Sequence, residues 1–576
     1  MVVFVFASSG NSIRAQGFLK TDGKKIVNEK GENVLLRGMG LGGWMVQEGY
    51  MLRIHNQAQQ HRIRKRLEEL TSPEQTKEFY ETWLANNIRK IDIDSMKSWG
   101  FNSVRLPMHY NLYTLPIEKE PVKGGNTWLD KGFQMTDSLL SWCRQNGMYL
   151  ILDLHAAPGG QGNDLNISDR DTTYPSLWAS EENKRKTIAL WKKLAGRYAN
   201  EPNIAAYDLI NEPNFGFEDP VNDKNGINEK KNEPLTSLLK DITAAIREVD
   251  KKHIIIIEGN GWGNNYNGML PPWDDNMVLS FHKYWSFNTD KEIRRMLDAR
   301  EKYNIPVWLG ETGENSNVWF TEAIRLLEKH NIGWAWWPAK KMGPGNPLEI
   351  PANHNFMQVV DFFNGTGEQP KESDVYSGMI EAAVYAKLEN CIFHPDVIDA
   401  MFRQVYSDEA IPFRENKIDK QAIIQAVDYD LGRQGSAYYD RDTANYHVSG
   451  QPGRGNRGNT YRNDGVDIRK DSSHYEQYFV SDIEDGEWLQ YTVHARPLKK
   501  YKLRIYYSAQ DKRASIDVKV NNKIVAENIY LPATGGMKSW KSIYLNNLII
   551  GNNARIRIQA KTGGFNLKQL EFIEQN

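Results

Sequence analysis

The chain has 576 residues, too many for one ordinary domain. Its 72 Lys and Arg nearly balance 73 Asp and Glu, which excludes an electrostatic footprint for nucleic acid or an anionic membrane surface. Two Cys exclude a disulfide framework, and with no HxH or HExxH spacing the sequence offers no metal site for catalysis.

Residues 1–16 open with MVVFVFASS, apolar and ending in small residues but without a basic start. This reads as the remnant of a secretion signal and predicts a secreted, periplasmic or cell-surface protein. No stretch reaches the ~18 apolar residues of a membrane span. GFLKTDGKKIVNEKGENV then predicts two short strands about a turn at Asp22-Gly23. From there strand and helix alternate. The predicted strands are VLLRGMGL, NSVRLPM, YLILDLH, IAAYDLINEP, HIIIIEGN, MVLSFHKY, PVWLGETGE and IGWAWWPA. The stretches between them are amphipathic; in EENKRKTIALWKKLAGRYA, for instance, Ile188, Trp191, Leu194 and Tyr198 share one helical face. Cys143, in the helical DSLLSWCRQNG, and Cys391, in an apolar stretch, read as buried free thiols. Apolar strands alternating with helices predict an α/β protein with a parallel sheet, closed as a (β/α)8 TIM barrel over residues 17–415. The helical run YSGMIEAAVYAKLENCIFHPDVIDAMFRQVY reads as the eighth barrel helix with an extension. Residues 416–423 read as a linker. Residues 424–576 turn to short alternating strands (GEWLQYTVHA, YKLRIYYSA, SIDVKVNN, ARIRIQA, KQLEFIE), which predict an all-β jelly-roll sandwich.

Polar residues gather at the ends of the predicted barrel strands, where such a fold places its active site. Arg105, His155, Asn211, Glu212, His282, Tyr284 and Glu311 lie there, and Trp336 and Trp337 end the eighth strand. Two carboxylates from separate strands, Glu212 and Glu311, are what glycosidic bond cleavage needs: a proton donor and a nucleophile or base flanking the bond.

The motifs RLPMHYN, LDLHAAPGG, LINEPN, FHKYW, LGETGE and GWAWWPAK, in that order, resemble glycoside hydrolase family 5. The resemblance implies a retaining mechanism with Glu212 as acid/base and Glu311 as nucleophile. Arg105 and Tyr284 would hold Glu311, Asn211 would bond the sugar 2-hydroxyl, and His155 and His282 would hold sugar hydroxyls or the carboxylates. One of Trp336 and Trp337 would floor the subsite beside the cleaved bond. LLRGMGLGGWMVQEGYM, with Gly42, Gly43, Trp44 and Glu48, is similar to the exo-β-1,3-glucanase branch, which favours a β-glucan (β-1,3 or β-1,4) over mannan or xylan. No catalytic cofactor is implied, and a monomer is expected. A transglycosylase on the same site and a non-catalytic polysaccharide-binding protein are the other readings.

Residues 424–576 resemble carbohydrate-binding module family 6 through IQAVDYDLGRQGSAYYD, NTYRNDGVDI, DGEWLQYTV, LPATGGMKSW and GGFNLKQLEF. The resemblance implies a sugar cleft with Tyr461 and Asn566. Met537 stands where that family has Trp, and Trp540 is the ring that could compensate or else belong to the core. Gln425 and Val427 replace the family's acidic calcium ligands. Val427 cannot ligate through its side chain, which puts a structural calcium in doubt.

Overall fold

The computed structural model describes residues 17–441, 460–471, 477–497, 499–510 and 513–575; the stretch read as a signal remnant lies outside them. Eight parallel strands close a barrel: β1 (Arg37–Gly40), β2 (Ser103–His109), β3 (Tyr149–Ala156), β4 (Ile204–Asp208), β5 (Ile254–Glu258), β6 (Met277–Lys283), β7 (Val307–Gly313) and β8 (Trp334–Trp337), with β8 pairing back on β1. All eight predicted strands are present. Their runs are apolar because both faces are covered, helices outside and lumen inside.

The two faces separate cleanly. On β3, Leu150, Leu152 and Leu154 pack outward against the helices, while Tyr149 and Ile151 join the lumen with Ala206, Ile254, Ile256, Val278, Trp308 and Ala335. The hairpin Lys20–Asp22 and Lys25–Val27 adds Leu19 and Ile26 to this lumen cluster. Since successive residues alternate in direction, the inward series continues upward from these apolar positions to Asp153, His155, Asp208, Glu258 and His282. The lumen is apolar at one end and charged at the other.

On β7 strict alternation from Trp308 would turn Thr312, not Glu311, inward. The register with β6 slips between Phe281↔Leu309 and His282↔Glu311, a bulge at Gly310. The extra residue reverses the phase and brings Glu311 in beside His282. A Cβ at position 310 would collide with Ser280 Oγ, so glycine permits the close approach.

The helix Glu181–Tyr198 starts at Ser180, whose side chain accepts from the Asn183 amide (3.2 Å), and buries Trp191, Leu194 and Tyr198. The later helical run divides. His354–Asn364 and Glu372–Tyr385 pack together, and Glu372–Tyr385 also packs on Pro73–Asn86, forming a core of their own; Pro395–Met401 lies on Asn317–Lys329, the helix after β7. Cys143 is buried and Cys391 half-buried, both free. Among the described residues no helix is long and apolar enough to cross a membrane.

The C-terminal region is an all-β sandwich of two sheets over one core. The stretch read as a linker, 416–423, carries strand residues instead. Lys417–Ile418 pairs with Trp488–Ala495, and Gln421–Gln425 pairs with Phe565–Gln575. Ile418 and Ile424 enter the sandwich core, and that burial holds the segment in the sheets.

Candidate active site

Arg105 on β2 is the centre of the charged end of the barrel and is fully buried. Its Nη1 donates to Glu311 Oε2 (2.9 Å) and lies 3.2 Å from Asp153. Nη2 donates to Asp208 (2.9 Å), Asn211 Oδ1 (2.8 Å) and Glu258 (3.0 Å), and Nε to Asp208 (3.0 Å). Four carboxylates around one guanidinium cannot all stay charged without water. Burial, reinforced by the charge of Glu258, holds the Asp208 carboxyl well above the usual range. Burial also opposes ionisation of Glu258, but His282, Arg105 and the Glu212 amide outweigh it and bring this carboxyl down to about 2.

Above this layer lie the two glutamates. Glu212 follows β4 with φ +41°. Its backbone N–H donates to Glu258 Oε2 (2.7 Å), and its Oε1 is 2.7 Å from His282 Nδ1. The other ring nitrogen of His282 faces Glu258 Oε1 at 3.2 Å. Burial disfavours the imidazolium, yet the charges of Glu258 and Glu311 and the bonds to Glu212 and Glu258 raise His282 well above its ordinary value. Glu311 Oε1 accepts from the Tyr284 hydroxyl at 2.8 Å. Ligand-capable atoms of Glu212, His282 and Glu311 lie within 4.8 Å of one another. Such a trio could hold a cation, but its atoms already bond one another, Tyr284 and Arg105. Burial, with the charge of Glu212, pushes the Glu311 carboxyl up to about 7 against His282, Arg105 and His155.

His155 is 2.9 Å from Asp153 through Nδ1 and 3.7 Å from Glu48 through Nε2; against the pull of burial, Asp153 and Glu48 lift it to about 10. Trp337 stacks on His155 (centroids 5.2 Å, 12° between planes) and donates through Nε1 to the Tyr50 hydroxyl (2.9 Å). The same ring lies against Gly40 and Gly42, where any Cβ would strike it. Gly42 of GLGGW therefore serves the seat of Trp337. Trp44 of the same motif is core, donating to the Leu84 carbonyl (2.8 Å).

These groups face one cavity of about 840 Å³, lined by Glu48, Tyr50, His155, Glu212, His282, Tyr284, Glu311 and Trp337. Arg105 and Asn211 sit beneath it. Trp336 does not line it. It points outward into the helices, packing on Phe320, Trp334 and Trp319, so the choice between the two tryptophans falls on Trp337. Alternation held that answer: Ala335 and Trp337 share the lumen side, and Trp336 takes the other. Sequence reasoning also passed over Asp153, Asp208 and Glu258, although DLH and IIIIEGN end apolar runs in acids. It passed over Tyr50, Trp262 and Trp285 at the cavity wall.

The three residues predicted for the sandwich cleft are not joined by any bond or ring contact among the described residues. The Tyr461 hydroxyl bonds Asp428 and Arg414, and its ring meets Tyr478 and Phe413. Asn566 is buried, giving its amide to the Met537 carbonyl (3.0 Å) and Ser508 (3.2 Å) and accepting from the Asp482 amide (2.9 Å). Trp540 stacks on Tyr506 (6.0 Å, 19°) and meets Phe479 edge-on. Val427 is buried in the core, in keeping with its lack of a ligating atom, and Gln425 ends a strand.

The family model Cellulase (glycosyl hydrolase family 5) matches residues 67–343, and that of Carbohydrate binding module (family 35) matches residues 462–572. A "Beta-xylosidase" of Phanerodontia chrysosporium is 27% identical over 381 residues, 59% of this chain and 75% of the relative. "Endoglucanase C" of Acetivibrio thermocellus is 24% identical over 329 residues, 46% of this chain and 87% of the relative. "Probable glucan 1,3-beta-glucosidase A" of Aspergillus niger is 25% identical over 258 residues, 44% and 56%. The chain is an O-glycosyl hydrolase, and its barrel is the region that matches the family 5 model. Its sandwich is a carbohydrate-binding module, and the family match corrects the family 6 resemblance to family 35.

Proposed function

We propose that the enzyme hydrolyses a β-glucan by double displacement, with Glu311 as nucleophile and Glu212 as acid/base. The observation that carries this reading is the pair itself: two carboxylates with oxygens within 4.8 Å, on separate strand ends of one cavity. Retaining enzymes hold their carboxyls about 5 Å apart, whereas inverting ones leave room for a water at about 6.5–9.5 Å. The donors divide the roles. Arg105 and Tyr284 both donate to Glu311, which favours its ionised, attacking form more than the single His282 contact favours that of Glu212. Glu212 is then the group left to pass a proton to the leaving oxygen. Once Glu311 carries the sugar its charge is gone, and Glu212 can take a proton from water. His155, stacked on the Trp337 ring, and Glu48 beside it would bind sugar hydroxyls. Glucan-cleaving relatives support the sugar, and the xylosidase relative makes β-xyloside the alternative. A polysaccharide substrate and an attached sugar-binding module fit a secreted protein.

The test is a panel of laminarin, mixed-linkage glucan, cellulose, mannan and xylan, with proton NMR of the first product formed. Release of the β-anomer from one of the glucans is the expected result. An initial α-anomer would overturn double displacement, and activity on xylan alone would move the sugar to xylose.

The pH profile follows from the same pair. A carboxyl raised to about 7 means the pair keeps one proton at neutral pH that two ordinary carboxyls would have lost. Turnover needs that proton, so kcat/KM is expected to fall as pH rises through about 7. Glu212→Gln, assayed on a substrate with an activated aryl leaving group, should abolish this limb. A limb that stays in place in the variant would assign it to another group.

A further inference from the structure

We propose that the sandwich module holds the loop behind Glu311 in place, with Asn463 as its positioning residue; this rests on the reading of Glu311 as nucleophile. A module that only delivers enzyme to a polymer needs no more than a tether. This one is joined to the barrel by a buried hydrogen-bonded seam, at the segment leaving β7. Asn463 donates its backbone N–H to Asp396 Oδ2 (2.9 Å) and accepts at its carbonyl from the Asn317 amide (2.9 Å). Its side-chain amide donates to the Asn315 carbonyl (2.8 Å) and Asn317 Oδ1 (3.2 Å). Asn317 in turn donates to Asp396 (2.7 Å) and to Asp464 of the module (3.1 Å). Asn317, Asp396 and Asp464 are 1%, 0% and 3% exposed, so the bonds of Asn317 to the two aspartates are shielded from competing water, and half-buried Asn463 closes over them.

The seam lies few bonds from the chemistry. Glu314, one residue before Asn315, lines the catalytic cavity and pairs with Lys341 (2.9 Å). Asn317 begins the helix that presents Trp319, whose Nε1 donates to the Ser286 carbonyl (2.9 Å). Ser286 follows Tyr284 by two residues and donates its amide to the Tyr284 carbonyl (2.6 Å). Tyr284 holds Glu311. Loosening residues 315–317 therefore releases both the end of β7 and the loop that carries the donor to the nucleophile.

The experiment uses the full chain and two substrates, a β-glucan polymer and the small soluble 4-nitrophenyl β-cellobioside. Asn463→Ala removes the side-chain amide that donates to the Asn315 carbonyl and the Asn317 amide oxygen, and kcat on both substrates is expected to fall about 10-fold with KM within about twofold. The high-pH limb should shift with it, because the donors to Glu311 are disturbed, and Asn463→Gln should recover part of the rate. Wild-type kcat on the small substrate, with weaker action on polymer alone, would overturn the proposal and leave the module a tether. Glu311→Ala in the same assay separates the two ideas. Activity surviving that change sinks the nucleophile reading; loss there with a normal Asn463→Ala sinks only the seam. Should Asn463→Ala not fold, Asn463→Ser in the same assay and hydrogen exchange at residues 314–320 make the same measurement, with faster exchange expected and unchanged exchange overturning it.

Discussion

Glu311→Ala is expected to lose on the order of 10⁵-fold in kcat, and Glu212→Ala to respond in a way that depends on the leaving group. The first removes the atom that forms the glycosyl-enzyme bond, so no choice of leaving group restores the rate. The second removes a proton donor, a role that contributes about 10²–10⁴-fold and matters least when the leaving group needs no proton. On a dinitrophenyl glycoside the first step should survive in Glu212→Ala, and the second should stall for want of a base. Added azide tells the two roles apart. In Glu212→Ala it attacks the glycosyl-enzyme and gives the β-glycosyl azide; in Glu311→Ala it fills the emptied space and gives the α-azide. The reverse pattern would exchange the two roles, and azide products from neither would remove both carboxylates from the reaction. The geometry behind the expectation is the Gly310 bulge, without which the alternation of β7 would turn Glu311 away from the cavity.

How much of this was legible in the sequence differs by element. The barrel was legible because each strand is an apolar run that ends in a polar cluster, and a run such as IIIIE of β5 has no other way to bury both faces. The position of Glu311 at a strand end was legible; its direction was not, since the register slip at Gly310 depends on the neighbouring strand. The choice between Trp336 and Trp337 could have been made from alternation around Ala335. The acids beneath the glutamates were visible as residues but not as a set, because Asp153, Asp208 and Glu258 come from three strands and gather around Arg105. The sandwich misled more. Its short strands were readable from period-two alternation, but Asn566 bonds Asp482, Ser508 and Met537, all far from it in sequence, so its surroundings could not be read from its neighbours along the chain. Residues 416–423 look polar and linker-like, yet single apolar residues, Ile418 and Ile424, are enough to seat the flanking strands.

Arg105→Leu is expected to be the most destabilising substitution in the barrel, by about 3–5 kcal/mol, because it leaves several buried carboxylates without their counter-charge. Asp208 would lose least, since its carboxyl is already held well above the usual range. Glu258 and Glu311 would lose most, as Arg105 is among the groups keeping each of them ionised. The pH dependence has a definite sign. Without Arg105 these carboxyls bind protons more tightly in the folded protein than in the unfolded chain. Where the folded state holds the extra protons, stability falls as pH rises. The gap between variant and wild type in thermal unfolding should therefore be wide at pH 8 and narrower at pH 5. A gap independent of pH would mean that packing around the side chain, not its charge, is what the barrel needs. Arg105→Lys sharpens the test, since it restores the charge but not the planar fork that reaches Glu311, Asp208, Asn211 and Glu258 together. It should recover part of the stability and little of the activity, because a single ammonium can neutralise the cluster without aiming a donor at Glu311.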